Sequence, residues 1–163
     1  MTTITQANQP QDFQTLEQLA SKIWTEHYTP IIGIDQVNYM LDKFQSADAM
    51  QKQVADGMEY YLLIHDEKAA GYFAVVKKKE SLFLSKLYVA KEFRGNGIAK
   101  LAMQFIQHRK AALACNSISL TVNKDNSNSI AAYEKMGFNK IEAIVQDIGN
   151  GYVMDDYIME KKG

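Results

Sequence analysis

Residues 93–103 read FRGNGIAKLAM: an arginine and two glycines around one asparagine, followed by an apolar pattern with helical spacing. The residues before them, SLFLSKLYV at 81–89, have the composition of a β-strand. A strand that enters a helix through a glycine-rich turn gathers backbone N–H groups at the positive end of the helix dipole. Such a turn can bind an anion, because Gly95 and Gly97 let the backbone approach phosphate oxygens closely. Arg94 can add a charge-assisted hydrogen bond.

The two common nucleotide fingerprints do not fit this turn. A P-loop requires G-x-x-x-x-G-K-[ST], which the sequence does not contain. A dinucleotide fingerprint requires glycine or alanine where Lys100 stands, and the next strand, SISLTV, does not end in the expected acidic residue. Taken alone, the turn therefore fits either an anion site for another cofactor or a helix start without a ligand.

Composition narrows the class of protein. The chain has 163 residues, of which 47% are hydrophobic, and it contains no linker or repeat, so we expect one domain over 1–163. A net charge of −1 argues against a nucleic-acid partner. With Cys115 alone and no Cys/His cluster, no metal site is expected. The polar start, MTTITQANQPQDF, and the lack of a long apolar run predict a cytoplasmic protein without a membrane partner.

We expect an α/β protein (three-layer α+β), and the order of its elements predicts a mixed sheet. The order of elements is a short strand at 3–7, a helix from Asp12 to near Pro30, helices around 37–44 and 47–55, three strands between 60 and 89, the longest helix after Gly97, a strand (SISLTV), a short helix (NSNSIAAYEKMG), and two strands joined through IGNG. Each hairpin favours antiparallel neighbours and each strand–helix–strand passage favours parallel ones.

The strand at 81–89 changes phase in its middle. Leu82 and Leu84 share one face, whereas Leu87 and Val89 share the other. A β-bulge between the two pairs produces such a slip, and we favour it over a regular strand that is covered on both faces.

Two stretches resemble motifs of the GNAT superfamily of N-acetyltransferases. LYVAKEFRGNGIA at 87–99 resembles the family motif Q/R-x-x-G-x-G/A, which follows a strand of the form L-Y-V. NSNSIAAYEKMGF at 126–138 resembles the second motif, N-x-x-[AS]-I-x-x-Y-E-K-x-G-F. The matching positions are Arg94, Gly97 and Ala99 in the first motif, and Asn126, Ser129, Ile130, Tyr133, Glu134, Lys135, Gly137 and Phe138 in the second. The resemblance covers nearly the whole chain and implies the GNAT acyl-CoA N-acyltransferase fold, a largely antiparallel mixed sheet splayed at a bulged strand.

The resemblance also implies an acetyl-CoA-dependent enzyme and assigns roles to residues. The turn would hold the pyrophosphate of acetyl-CoA, and the bulged strand would pair with the pantetheine arm. Tyr133 would supply the proton or donor for the departing thiolate, and Asn126 would contact the arm or cap its helix. The implied cofactor-binding residues are Leu87, Tyr88, Val89, Arg94, Gly95, Asn96, Gly97, Ile98, Ala99, Lys100 and Asn126.

The general base is left open. Many family members place a glutamate on the bulged strand, where this chain has Ser85 and Lys86. A water relay is one alternative. The side-chain candidates are Glu26, His27, Glu59, Asp155 and Asp156.

The acceptor is expected to be a small primary amine, such as a polyamine or an amino-acid-like compound. A protein N-terminus or lysine is the alternative, as is a CoA-binding sensor without catalysis. Trp24, Tyr28 and Tyr39 fit either a box around the amine or plain core packing. Asp155 and Asp156 alternate across a strand, so at most one faces a pocket. Dimerisation is common in the family, and we expect a homodimer.

Overall fold

The computed structural model describes residues 1–162, without the side chain of Lys86. Within these residues a seven-stranded mixed sheet has the order β1-β2-β3-β4-β5-β7-β6. The strands are β1 (Thr2–Gln6), β2 (Glu59–His65), β3 (Lys68–Lys78), β4 (Ser81–Val89), β5 (Ser117–Asn123), β6 (Asn139–Gly149) and β7 (Tyr152–Lys162). The helices are α1 (Pro10–Ile32), α2 (Ile34–Phe44), α3 (Ala47–Ala55), α4 (Ile98–Ala112) and α5 (Ser127–Lys135). β4 and β5 are parallel, and every other neighbouring pair is antiparallel.

Successive side chains along the strands point to opposite faces of the sheet, and they pack into two hydrophobic cores, one on each face. On β2, Tyr61 and Leu63 pack with α4 and α5, whereas Tyr60 and Leu62 pack with α1, α2 and α3. Helices therefore cover both faces, because each face of the sheet is apolar and must be buried. The predicted three-layer arrangement is confirmed.

Helix α1 is longer than the sequence pattern predicted. It begins at Pro10, and the carboxylate of Asp12 accepts a hydrogen bond from the backbone N–H of Gln9 (3.0 Å), so Asp12 caps the helix from inside its first turn. Pro30 sits in the last turn without ending the helix, which stops at Gly33 with φ 86°. At 23 residues α1 exceeds the 15 of α4, so the prediction that the longest helix follows Gly97 is wrong.

The predicted bulge is present in β4. Val75 pairs with Leu84 while its neighbour Ala74 pairs with Lys86, which leaves Ser85 as the extra residue. The parallel pairing of β4 with β5 ends at the same Leu84. Beyond this point the two strands separate and a gap opens in the sheet.

A buried polar network supports α1 against the sheet. The indole Nε1 of Trp24 donates to the hydroxyl of Tyr72 (3.0 Å), which donates to Oε1 of Gln45 (2.7 Å). Tyr72 and Gln45 are almost fully buried, at 0% and 1% exposure. The network fixes the position of Trp24, because each buried polar group finds its partner only in this arrangement.

Tyr72→Phe should destabilise the fold, because it leaves the Trp24 N–H and the Gln45 amide oxygen buried without a partner. We expect the free energy of unfolding to fall by about 1–3 kcal/mol. Urea denaturation measures the change. Tyr152→Phe is the matched control, since the Tyr152 hydroxyl has no hydrogen bond to any described residue, and it should change the value by less than about 0.5 kcal/mol. Equal midpoints for the two variants would contradict the role of the network.

Candidate active site

The glycine turn connects β4 to α4 and presents backbone N–H groups. Gly95 and Gly97 have φ of 87° and 73°, and a Cβ added at either would meet no atom within 4 Å. Both glycines are thus required by backbone conformation, since other residues rarely adopt positive φ. Gly97 is the N-cap of α4, and no described side chain caps this helix. The first-turn N–H groups at 98–100 therefore have no helical acceptor and can bind an anion.

The main chain of β4 presents two residues to the gap. The N–H of Ala90 donates to the carbonyl of Ala70 (2.7 Å), so alternation turns the main-chain groups of Tyr88 toward β3 as well. Those of Leu87 and Val89 point to the other edge, where β5 has moved away. The Val89 carbonyl accepts a hydrogen bond from Nε of Arg94 (3.2 Å) on that side.

Two cavities meet at this gap. The outer cavity, of about 350 Å³, lies beside the glycine turn, and its lining includes Leu87, Val89, Arg94, Ala99, Ser129 and Tyr133. The inner cavity, of about 510 Å³, lies on the α1 and α2 side of the sheet. A narrow space of about 30 Å³ between β4 and β5 borders both, and Tyr88 contributes to the lining of all three. The gap therefore lies between the two cavities and borders both.

The inner cavity has mainly aromatic and aliphatic walls. Trp24 and Tyr28 of α1 line it, so both take part in core packing and in the cavity wall. Tyr39 lies outside this lining, and its hydroxyl donates to the carbonyl of Ile148 (2.7 Å), tying α2 to the β6–β7 hairpin. The wall also includes Ile32, Met40, Phe44, Phe83, Tyr88, Ile144, Ile148, Met154 and Ile158.

A row of polar residues on β5 was not recognised from the sequence. Ser119, Thr121 and Asn123 alternate with core residues and line the inner cavity. The alternation in SISLTVN was a usable signal, because a strand with helices packed over both faces would otherwise be apolar on both faces. A polar face under helices indicates a cavity.

Three tyrosines gather where the gap meets the inner cavity. The hydroxyls of Tyr28 and Tyr88 are 2.9 Å apart. Burial raises the pKa of Tyr28 to about 12, and burial also raises the pKa of Tyr88 well above its ordinary value. Burial, and then the proximity of Tyr28, also raises the pKa of Tyr133. All three hydroxyls hold their protons at neutral pH and can act as hydrogen-bond donors.

Asn126 begins α5 at the edge of the gap. It is 4% exposed, and its Oδ1 accepts a hydrogen bond from the backbone N–H of Ser129 (3.4 Å), so it caps the helix. It also lies close enough to Tyr28 and His27 to affect the pKa of each. The capping role holds Asn126 beside the Tyr28 hydroxyl.

The candidate bases occupy very different places. Glu59 forms a two-bond ion pair with Arg109 (2.8 and 2.6 Å), which lowers its pKa, and it lines none of these cavities. Glu26 is exposed on the surface. His27 lines the outer cavity with Arg94, and burial and then the Arg94 charge lower its pKa. None of these three residues lines the inner cavity, and the remaining two candidates lie on β7.

Asp156 is the candidate that lines the inner cavity. The residue is 1% exposed, and neither carboxylate oxygen has a hydrogen-bond partner among the described residues. Burial, and then the charge of Asp155, raises the pKa of Asp156 to about 6, against the opposing effect of Lys124. Asp155 points the other way and pairs with Lys124 at 2.8 Å. The prediction that at most one of the two faces a pocket is confirmed.

Asp156→Asn should change how stability depends on pH. The folded pKa of about 6 lies above the ordinary value of 3.8, so ionised Asp156 destabilises the fold above pH 6 and this penalty vanishes below pH 4. The free energy of unfolding of the variant, relative to the parent, should therefore rise by about 2–3 kcal/mol between pH 4 and pH 8. Thermal or urea denaturation at both pH values checks this. Asp155→Asn, with an exposed side chain, should show no comparable rise; equal pH profiles for the two variants would contradict the burial of the Asp156 charge.

A mixed sheet that opens at a bulged strand, with a glycine turn at the end of that strand, is the arrangement that the resemblance to the GNAT acetyltransferases implied. The family model of the acetyltransferase (GNAT) domain matches residues 29–160, and the chain belongs to this family. It is an acetyltransferase, as the two sequence motifs predicted.

Solved structures share the fold over the whole chain. The PaiA N-acetyltransferase of Thermoplasma acidophilum, in complex with coenzyme A, superimposes with a TM-score of 0.84 at 19% identity, covering 100% of this chain and 99% of that one. A GNAT-family acetyltransferase of Staphylococcus aureus Mu50 gives 0.76 at 15% identity, covering 99% of both chains. The ribosomal-protein-S18-alanine N-acetyltransferase of Escherichia coli gives 0.73 at 16% identity, covering 99% and 94%. The predicted GNAT fold is confirmed.

Within residues 1–162, two structural features are absent. None of the helices combines the length and apolar character needed to cross a membrane. No three His, Cys, Asp or Glu side chains of these residues come together as a metal site would require.

Proposed function

We propose that the protein transfers the acetyl group of acetyl-CoA to the primary amine of a small molecule, by direct attack in a ternary complex. The observation that carries this proposal is the gap between β4 and β5, which borders a cavity beside the glycine turn and a second cavity on the opposite side. The inner cavity, of about 510 Å³, has the size of a small-molecule site, which favours a small acceptor over a protein segment. Homodimer formation and a cytoplasmic location stay predictions.

The donor would bind along β4 and the turn. N–H groups at 95–100 and the guanidinium of Arg94 would hold the pyrophosphate, as at other helix N-termini. The main-chain groups of Leu87 and Val89 would pair with the pantetheine amides, taking the place of the missing β5 neighbour. Asn126 and Tyr133 lie along the same path.

The reaction makes three demands. The thioester carbonyl must be polarised, and the N–H of Leu87 faces the gap where that oxygen would lie. An amine of pKa about 10.4 must lose its proton, which costs about 4–5 kcal/mol at pH 7. The departing thiolate needs a hydrogen-bond donor, and the protonated hydroxyl of Tyr133 lines the gap for this role.

Thiol release from acetyl-CoA in the presence of an amine tests the proposal. Tyr133→Phe should lower kcat by about 100-fold, the usual scale for loss of an acid catalyst, with the affinity for CoA unchanged. Tyr152→Phe, a tyrosine outside the three spaces that meet at the gap, should keep the parental rate. Release with peptides but with no small amine would favour a protein acceptor. CoA binding without release for any amine would favour a sensor.

Gly97→Val tests the phosphate role of the turn. Valine tolerates the left-handed backbone at this position poorly, so the turn should rearrange and CoA affinity should fall about tenfold, as measured by calorimetry. Gly57→Val is the matched control, because Gly57 also has positive φ (112°) and open space around it but lies after α3. Unchanged affinity in the Gly97 variant would refute the assignment.

A further inference from the structure

The inner cavity has a distinctive charge distribution. Among its lining residues that the structure describes, Asp156 is the single carboxylate and Lys78 the single cation. The ammonium group of Lys78 lies 4.3 Å from the centre of the Phe83 ring. The rest of the wall is apolar, aromatic or neutral and polar. A ligand that matches this wall has one positive charge and an apolar body.

Asp156 needs a donor that the described residues do not supply. Both carboxylate oxygens are buried and neither accepts a hydrogen bond from those residues. A buried carboxylate in this state is costly, and it is stabilised by any occupant that brings N–H donors and a positive charge. A primary ammonium brings three such donors.

We propose that Asp156 binds the ammonium group of the acceptor and takes the first proton from it, and that the acceptor is a monoamine with an aromatic or aliphatic body. This inference rests on the proposed function and names the missing base and the substrate class of that site. Asp156 is a catalytic residue in this scheme because it touches the reacting nitrogen.

The cavity favours one charge over several. A polyamine would bring a second ammonium into a wall with no second described carboxylate, and Lys78 would repel it. Desolvating that unpaired charge is costly. The faces of Trp24, Tyr28 and Tyr88 can instead contact an apolar body, and they also attract a single cation near Asp156.

The protons balance through two groups. Asp156 accepts one proton from the ammonium, and the neutral nitrogen attacks the thioester carbonyl, so that a C–N bond forms and the C–S bond breaks. The nitrogen loses a second proton as the amide forms. Of the two protons released, one ends on the CoA sulfur, delivered through Tyr133, and the other leaves Asp156 for solvent.

The groups around Asp156 predict how kcat/KM depends on pH. Asp155 on the same strand and Lys124 after β5 act on it in opposite directions, and Tyr28 of α1 faces it as a neutral hydroxyl. Ionised Asp156 is the form that binds the ammonium, so kcat/KM should fall as pH drops below about 6. Removing Asp155 should move this acid limb to lower pH.

The experiment compares Asp156→Asn with Asp155→Asn in the full chain, using 2-phenylethylamine, hexylamine and spermidine. The parent should use the two monoamines with kcat/KM at least about tenfold above that for spermidine. Asp156→Asn should lose about 100-fold in kcat/KM for the monoamines, lose the acid limb, and keep its affinity for CoA. Asp155→Asn should keep the parental rate at pH 8. Spermidine as the best acceptor, or an undiminished rate in Asp156→Asn, would overturn the inference.

A binding measurement separates this inference from the proposed function. Trp24 is the single tryptophan and lines the inner cavity, so its fluorescence reports on an occupant without turnover. With CoA present, 2-phenylethylamine should change this fluorescence in the parent and not in Asp156→Asn. Absence of thiol release with every amine would contradict the proposed function. Equal fluorescence titrations of the parent and Asp156→Asn would contradict the role of Asp156 alone.

Discussion

The interrupted pairing between β4 and β5 is the constraint on which the rest of the structure depends. These strands are parallel and joined through α4, and they share only the pairs from Ser81↔Ser117 to Leu84↔Leu120. The extra residue at Ser85 then shifts the register with β3 and ends the pairing with β5. Backbone groups inside a protein require partners, so the edge of β4 at Leu87 and Val89 is suited to an extended molecule with amide groups.

The inner cavity has a rigid aromatic wall and one buried carboxylate, Asp156, whose charge is unfavourable for stability. Trp24 is held by Tyr72 and Gln45, and the aromatic rings of Trp24, Tyr28 and Tyr88 contact one another with centroids 5.1–6.0 Å apart. Close-packed rings of this kind fix the shape of a cavity wall. Asp156 stands against this wall at a cost in stability, which is the pattern expected where selection acts on function and not on the fold alone.

The sequence predicted the glycine turn and the bulged strand better than the inner cavity, for physical reasons. A glycine turn, a phase slip and a helix motif are local features, and the bulge followed from the phase slip as the order of elements followed from apolar periodicity. The passage from β1 through three helices to β2 favoured a parallel pair, but β1 and β2 are antiparallel, because a connection of three helices is long enough to reach either end of the neighbouring strand. The burial of Asp156 depends on how β7, β5 and α1 meet in space, and alternation alone limited the choice to one of two aspartates. The length of α1 was missed because Pro30 is tolerated in a last turn and Asp12 caps from within the helix.

One face of β5 packs in the hydrophobic core, and the other face lines the inner cavity. Ile118, Leu120 and Val122 pack under α4 and α5, while Ser119, Thr121 and Asn123 line the inner cavity. Substitutions on the second face change the shape and polarity of the cavity without removing any core side chain. One strand can thus keep its packing while the wall of the cavity changes, and this freedom is open to every protein that shares the fold at 12–19% identity.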